Sequence, residues 1–219
     1  MEKDYYFKKL YPLQDKLFKI LGKIDTEFYL TGGTAASRGY LNHRFSEDLD
    51  FFVNDDTRFG LWSERVIHAF TKESHNKLEV LLKDERFTRL ILEEADIKLR
   101  IELVNDVPSH IGTISLHKTL GRLDSAENIF ANKITALMDR QEPKDLADIW
   151  AFCRKLNLSL NKAITDAHSK AAGIFPADLA RILCSVSQND WEAIKWIEPP
   201  DCEKFLYDLR KIGESLIIF

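Results

Sequence analysis

The chain of 219 residues has little cysteine and no long apolar run. Its three cysteines, Cys153, Cys184 and Cys202, form no CxxC pair, which excludes a disulfide framework and a zinc knuckle. No apolar stretch approaches the ~20 residues that a membrane-spanning helix needs, and the opening MEKDYYFKK lacks the apolar core of a signal peptide. We therefore expect a cytoplasmic protein that keeps its thiols free and has no membrane partner.

An excess of positive charge is also absent. Lysine and arginine total 31 against 35 aspartates and glutamates, which gives a formal net charge of −4. A protein that coats nucleic acid through bulk charge is thus excluded, whereas a local basic groove is compatible with the composition. The 45% of hydrophobic residues suffice for the core of one large domain or two modest ones.

The spacing of apolar residues changes near residue 125. Upstream of it, helical and extended patterns alternate, and we predict helices over 4–22, 34–41 and 58–72 and strands over 27–31, 49–53, 78–83, 87–92 and 97–104. Downstream the pattern is helical, with helices predicted over 126–140, 143–156, 159–170, 176–186 and 201–217. The sequence thus predicts an α/β (α+β) core with a mixed sheet in residues 1–124, followed by an all-helical domain in residues 125–219.

A pair of glycines, Gly32 and Gly33, stands between the first predicted strand and the helix after it. Glycines at such a junction let the backbone turn sharply, and the N–H groups and dipole of a helix start attract anions. Taken alone, the pair is also typical of a simple strand-to-helix connection with Thr34 as the N-cap. Because of the residues that follow, we predict that Gly32, Gly33 and Thr34 receive phosphate groups.

Two aspartates, Asp48 and Asp50, lie at the next predicted strand. Residues two apart in a strand point to one face, so both carboxylates project together while Leu49 faces away. Their repulsion destabilises the strand unless they are solvated or share a cation. A hard divalent cation, Mg²⁺ or Mn²⁺, binds carboxylate and phosphate oxygens together. The pair therefore predicts a metal site, with a solvated strand end as the alternative.

A third carboxylate stands in the alternating stretch 97–104, where Lys98, Arg100 and Glu102 share one face. Glu102 is the predicted third metal ligand, and an exposed strand residue without a role is the alternative. A phosphate-binding turn beside a strand that holds a metal is the minimum apparatus for nucleotidyl transfer, because the cation neutralises charge that develops on the phosphates.

The same residues carry a resemblance to a known family. The stretch TGGTAASRGYLNHRFSEDLDFFV is similar to the first motif of the AbiEii/AbiGii toxin family, a branch of the polymerase-β-like nucleotidyltransferase superfamily. Arg100-Ile101-Glu102 resembles the family's Lys-x-Asp/Glu motif with arginine in place of lysine, segment 132–140 its helical lysine motif, and segment 144–150 its closing DxxD. The resemblance covers residues 25–152 and leaves residues 153–219 unmatched.

The resemblance implies a nucleotide site assembled from several parts of the chain. It assigns nucleotide binding, beyond the glycine turn, to Arg44, Ser46 and Lys133, and it places Glu102 near the attacking hydroxyl. It assigns supporting roles to Arg100, Arg140, Asp145 and Asp148. Plainer alternatives stay open: Lys133 and Arg140 as solvated basic residues, Asp145 as a stabiliser of a helix start, and Arg44 and Ser46 as residues that fix a turn.

We predict from these features a metal-dependent nucleotidyltransferase that joins a nucleoside monophosphate from a nucleoside triphosphate to an acceptor. The resemblance implies the toxin of a toxin–antitoxin pair, with a cognate antitoxin protein as partner. RNA, such as the 3′ end of tRNA, is the preferred acceptor and a protein the second choice. We expect the helical domain to close the cleft and bring Lys133 to the phosphates. Two alternatives remain: a metal-dependent phosphodiesterase or nuclease with the same carboxylates, and a catalytically silent binding module.

Overall fold

The computed structural model describes residues 2–74 and 77–217, and these form two compact units. The first unit contains the residues up to Ala35 and those from Ser46 to Ser125. The second unit contains Ala36–Phe45 and the residues from Ala126 onwards. Within the described ranges, no helix combines the length and the hydropathy needed to cross a membrane.

A mixed β-sheet is the framework of the first unit. In the described part of the chain its strands are β1 (Tyr29–Thr31), β2 (Leu49–Asn54), β3 (Lys77–Lys83), β4 (Phe87–Glu94), β5 (Ile97–Asp106), β6 (Ser115–His117) and β7 (Gly121–Leu123). They lie in the order β3-β4-β5-β2-β1-β7-β6. The pairs β2–β5 and β1–β7 are parallel, and the others are antiparallel. The mixed sheet predicted from the sequence is confirmed.

The strands that carry the candidate site alternate between buried and more exposed residues. Leu49, Phe51 and Val53 of β2 are buried, while the residues between them are partly exposed. Strand β5 alternates in the same way along its whole length. Because successive side chains of a strand point to opposite faces, one face of each strand lies in the core and the other presents polar groups.

Helical segments of the first unit pack against this core. They are α1 (Glu2–Tyr5), a π-helical turn (Tyr6–Leu10), α2 (Tyr11–Leu21), α3 (Gly32–Thr34) and α4 (Phe59–Ser74). The π-helical segment Ala35–Leu41 follows α3 in the chain and belongs, from Ala36 onwards, to the second unit. Leu10, Leu13 and Leu17 are buried at helical spacing. Phe18 of α2 contacts Phe51 of β2 with ring centroids 6.2 Å apart, so the amino-terminal helix covers the strand that carries the carboxylates.

Helices dominate the described part of the second unit. They are α5 (Ala126–Arg140), α6 (Pro143–Lys155), α7 (Leu160–His168), α8 (Pro176–Cys184), α9 (Gln188–Ala193) and α10 (Cys202–Glu214). Phe130 of α5 stacks on Phe152 of α6 with ring centroids 5.1 Å apart, and Trp150 of α6 contacts Phe205 of α10 at 5.5 Å. Pro143 stands in the first turn of α6, where a missing N–H costs no intrahelical hydrogen bond.

The short segment 43–45 is held by residues from the last quarter of the chain. The N–H of Phe45 donates to the Lys195 carbonyl at 2.7 Å, and the N–H of Ile197 donates to the His43 carbonyl at 3.1 Å. These bonds satisfy backbone groups that no strand or helix pairs at this point. Residues beyond 152, which match no motif, thus fix the backbone that leads into the carboxylate motif.

The structure differs from the predicted elements in a few places. Strands β6 and β7 and helix α9 are missing from the prediction, because strands of three residues offer no alternating run and α9 is only six residues long. Strand β2 begins at Leu49, as predicted, and Asp48 lies immediately before it. The N-cap position of α3 belongs to Thr31, and Thr34 is the last residue of that helix.

Candidate active site

Gly32 begins α3 directly after β1 and approaches a side chain of β2. Its φ of +67° lies in the left-handed region, which residues with a Cβ atom rarely adopt. A Cβ atom added at Gly32 would overlap the carboxylate of Asp50. Both the backbone conformation and the available space therefore require glycine at this position.

Thr34 joins the turn to the segment that precedes β2. Its buried hydroxyl donates to the Asp48 carbonyl oxygen at 2.5 Å and lies 3.0 Å from the Ser46 hydroxyl. From helix α2, the Gln14 amide donates to the Glu47 carbonyl oxygen at 3.0 Å. The backbone that presents Asp48 is thus held from two sides.

The three predicted carboxylates lie on two neighbouring strands or directly before one of them. Strands β2 and β5 run parallel in a register that makes Asp50 and Glu102 Cα partners. Both residues belong to the partly exposed face of their strands, in agreement with the period of two in the sequence. Asp48 is half-buried one residue before β2. The sheet thereby gathers carboxylates that are about fifty residues apart in sequence.

The guanidinium of Arg100 lies among these carboxylates. Its Nη2 donates to Asp48 Oδ2, and its Nε lies 3.7 Å from Glu102 Oε1. Burial lowers the pKa of Arg100, but Asp48, Glu102 and Asp50 outweigh this effect and raise the pKa above its usual value. Arg89 Nη2 also lies 2.9 Å from Glu102 Oε1. Arginine side chains therefore offset the repulsion between the carboxylates.

The donors at this site suit a divalent cation in type. They are carboxylate oxygens on one face, and Gly32 places no side chain in the space around Asp50. In this structure, however, the carboxylates are paired with arginine side chains. Among the described residues, no three His, Cys, Asp or Glu side chains converge as metal ligands. A cation bound here would replace the contact between Arg100 and Asp48.

A second cluster of charged residues is buried in the second unit around Asp148 of α6. Arg44 binds both carboxylate oxygens of Asp148, each at 2.7 Å. Lys133 Nζ lies 2.7 Å from Oδ2, and His43 Nε2 lies 2.8 Å from Oδ1. Each of these four residues is at most 5% exposed. Burial raises the pKa of Asp148, but Arg44, Lys133 and His43 outweigh it and hold the pKa well below its usual value.

Asp145 joins the same cluster one helical turn earlier. It lies 2.9 Å from Lys133 Nζ and 2.8 Å from Arg140 Nε. Burial raises the pKa of Asp145, but these two cations outweigh it and lower the pKa. For Lys133, burial lowers the pKa, but Asp148 and Asp145 outweigh it and raise the pKa. Lys133 is thus a buried, doubly paired cation rather than a solvated one, and Asp145 binds side chains rather than only a helix start.

The predicted site residues fall into these two groups. The first unit contains Gly32, Gly33, Thr34, Ser46, Asp48, Asp50, Arg100 and Glu102. The second unit contains Arg44, Lys133, Arg140, Asp145 and Asp148. Their roles in binding and catalysis stay predictions.

Two residues that contact these groups have no site role predicted from the sequence. Arg89 is the Cα partner of Glu102 across the antiparallel pair β4–β5, a position that the short connection at residues 95–96 and the alternation of both strands indicate. His43 is interpreted from the sequence as a residue for local packing or a turn hydrogen bond. Its actual partner, Asp148, is 105 residues away, and nothing local in the sequence points to it.

Comparisons with known proteins bear on the family and the fold of the chain. A family described as nucleotidyl transferase AbiEii toxin of type IV toxin–antitoxin systems matches residues 17–195. A search of curated proteins gives no match.

Two solved structures have a similar fold. JHP933 from Helicobacter pylori is 20% identical with a TM-score of 0.66, over 99% of this chain and 92% of that chain. MenT4, a nucleotidyltransferase toxin from Mycobacterium tuberculosis, is 18% identical with a TM-score of 0.67, over 96% of this chain and 83% of that chain. Because the family match spans most of its length, the chain belongs to the AbiEii family of nucleotidyltransferase toxins.

Proposed function

We propose that the chain transfers a nucleoside monophosphate from a nucleoside triphosphate to a hydroxyl acceptor with the help of a divalent cation. The acceptor oxygen bonds to the α-phosphorus, the bond from that phosphorus to the leaving oxygen breaks, and pyrophosphate departs. The hydroxyl proton passes to Glu102 or to water. The close approach of Asp50 to Gly32 is the observation that supports the proposal. It places a carboxylate of β2 beside the start of α3, where no side chain makes a capping hydrogen bond.

The cation is assigned to Asp48 and Asp50, with Glu102 as the third carboxylate. Mg²⁺ or Mn²⁺ bound there would neutralise charge on the phosphates and orient them. Arg100 would then have a supporting role. Once the cation displaces it from Asp48, its guanidinium could donate two parallel hydrogen bonds to a phosphate group.

Phosphate binding by the turn is assigned to backbone N–H groups of Gly32, Gly33 and Thr34. The Thr34 and Ser46 hydroxyls are buried and lie 3.0 Å from each other. The contribution of Ser46 is therefore to hold Thr34, and through it the turn, in place.

Arg44 and Lys133 are assigned to the nucleotide only by family resemblance. Both cations bind Asp148, so contact with a phosphate requires that an ion pair be exchanged.

The division into domains 1–124 and 125–219, and closure of a cleft by the second, stay predictions. A lysine-reactive nucleoside triphosphate tests them together: we expect the label on the peptide that contains Lys133. Label on other lysines alone would contradict this assignment.

RNA, with the 3′ end of tRNA as the first candidate, is the proposed acceptor, and protein is the second. A groove of about 490 Å³ along α2 supports an anionic acceptor, since it is lined by Lys16 and Lys19 of the helix and by Lys23 just beyond it, against the single acid Asp15. Lys16 is paired with Glu94 at 2.9 Å. Arg44 is buried against Asp148 and is unsuited to bind RNA from the surface.

The transfer reaction is tested with each labelled nucleoside triphosphate, Mg²⁺ or Mn²⁺, and total RNA or total protein. We expect label in an RNA band together with pyrophosphate. Asp48→Ala should abolish both, whereas Asp25→Asn, at a side chain that is 98% exposed, should change neither. Shortened RNA without pyrophosphate would support the phosphodiesterase alternative, and no product with any nucleotide would support the silent module.

The metal is tested separately by thermal unfolding. Mg²⁺ or Mn²⁺ with a triphosphate should raise the melting temperature of the wild type, since a ligand that binds only the folded state stabilises it. Asp50→Asn should remove this shift and leave the ligand-free protein as stable as before or slightly more stable. Equal nucleotide binding by both proteins, with and without metal, would contradict the metal site.

The toxin role is tested in growing bacteria. Family membership implies a toxin with an antitoxin partner. We expect expression of the chain to slow growth, Asp48→Ala to relieve the effect, and sequencing of small-RNA 3′ ends to show added nucleotides. Wild type and Asp48→Ala that behave alike in both measurements would remove the toxin role and leave the transferase assignment to the labelling experiment.

A further inference from the structure

A buried carboxylate outside every motif of the sequence lies behind the glycine turn. Asp124 directly follows β7 and is 0% exposed. Its Oδ2 accepts a hydrogen bond from the Thr31 hydroxyl at 2.5 Å, and its Oδ1 lies 2.9 Å from His110 Nε2. The backbone N–H of Asp124 donates to the Leu30 carbonyl at 2.9 Å. Side chain and backbone of one residue thus bind two consecutive residues of β1.

The burial of Asp124 makes these hydrogen bonds strong constraints. A carboxylate without solvent is stable only when donors satisfy its oxygens, so the Thr31 hydroxyl cannot turn away without a cost. Burial raises the pKa of Tyr29, and Asp124 raises it further, as expected for a negative charge close to β1. Thr31 itself is 1% exposed, so its hydroxyl is shielded from bulk solvent.

Thr31 connects Asp124 to the proposed phosphate site. It is the last residue of β1, the N-cap of α3, and the residue before the left-handed Gly32. It is also the Cα partner of Asp50 in the pair β1–β2. A rotation of Thr31 would therefore change the direction of the helix start and the space that Gly32 leaves for the Asp50 carboxylate.

We propose that Asp124 is a positioning residue that fixes the Gly32–Thr34 turn for triphosphate binding by anchoring the side chain of Thr31. It acts through Thr31 and does not touch the substrate. The part that concerns the triphosphate depends on the proposed function, whereas the anchoring of the turn does not.

Hydrogen exchange of the ligand-free protein tests the anchoring. In Thr31→Val and in Asp124→Asn, the amide of Ala35, which donates to the Gly32 carbonyl and closes the turn, should exchange about tenfold faster, a change expected for the loss of one strong hydrogen bond. Thr31→Ser keeps the hydroxyl and should remain within about twofold of the wild type. The amides of β5 serve as the control for the fold and should be unchanged.

Calorimetry with inorganic tripolyphosphate and Mg²⁺ tests the consequence for binding. Thr31→Val should weaken binding about tenfold, and Thr31→Ser should restore it. Two results would overturn the anchoring role. One is an exchange rate at the turn of Thr31→Val that equals that of the wild type, and the other is a rise that is equally large in β5. A wild type that fails to bind tripolyphosphate would count against the phosphate site of the proposed function, while the exchange rates still decide the role of Asp124.

Discussion

The two charge clusters contain the same kinds of side chain in opposite surroundings. In the first unit, the side chains of Asp48, directly before β2, and Arg100, on β5, are 32% and 43% exposed. In the second unit, Asp148 and Lys133 are buried. Water screens the first ion pair and can replace either partner, whereas a lost partner in the second leaves a charge without solvent. The first cluster is therefore suited to exchange its partners for a ligand, and the second to hold the fold.

Removal of the buried carboxylate should give the largest change in stability. Asp148→Ala leaves Arg44 and Lys133 buried without the oxygens that bind them, which should cost about 3–5 kcal/mol of unfolding free energy. Asp48→Ala removes a partly exposed carboxylate and should cost less than about 1 kcal/mol. Urea-induced unfolding of both variants measures the difference. Equal losses would show that the two clusters do not differ in this respect.

A methyl group at the glycine turn should have the next largest effect. Gly32→Ala forces a side chain into the left-handed region and against the Asp50 carboxylate, so we expect a loss of about 1–3 kcal/mol and of the transfer reaction. Gly60→Ala, in open space on α4, is the matched control and should stabilise the fold by up to about 1 kcal/mol. An active, stable Gly32→Ala protein would show that the exposed cluster does not need the close approach.

Much of the exposed cluster is predictable from the sequence, because it depends on local periodicity. The alternation of residues 97–104 places Arg100 and Glu102 on one face of β5. The alternation of residues 49–53 places Asp50 on the face of β2 that Leu49 does not share. The pairing of β2 with β5 follows from no local signal, and it decides that Asp50 faces Glu102 rather than a later residue. The role of Arg100 as counter-ion depends on that register.

The buried clusters are beyond local inference for a physical reason. From the sequence, Asp145 and Asp148 of helix α6 are interpreted as part of a polar face. The sequence does not show that this face meets Lys133 and Arg44. Asp124 is a single acid after a three-residue strand, and its burial depends on pairing between β1 and β7. A buried ion pair between distant segments becomes visible only when the tertiary contacts are known.

The pH dependence of the unfolding free energy gives a further test of the difference between the two clusters, because the buried cluster contains His43. Burial lowers the pKa of His43 from 6.5 more than its hydrogen bond to Asp148 raises it; Arg44 and Lys155 lower it further. The unfolded chain therefore binds a proton that the folded chain does not, and stability should fall as pH drops below 6.5, by at most about 1.4 kcal/mol per pH unit.

Unfolding in urea at pH 7.5, 6.0 and 5.0 measures this dependence. His43→Asn should flatten the change between these values, while the exposed His68→Asn should retain it. The aspartates of the buried cluster add a second loss at lower pH, because their lowered pKa values stabilise the fold only while the unfolded carboxyls are ionised. A wild type whose stability is constant from pH 7.5 to 5.0 would contradict the role of His43.

Arg100→Ala should have the smallest effect on stability and the most informative response to metal. The side chain is 43% exposed, so its loss should cost less than about 1 kcal/mol in the presence of chelator. Because the guanidinium occupies Asp48 Oδ2, its removal should increase the rise in melting temperature produced by Mn²⁺. Lys98→Ala, on the same strand face and paired with Glu93 at 2.9 Å, should leave that rise unchanged. A large loss of stability in Arg100→Ala, or a loss of the Mn²⁺ response, would mean that the exposed cluster holds the fold as the buried one does.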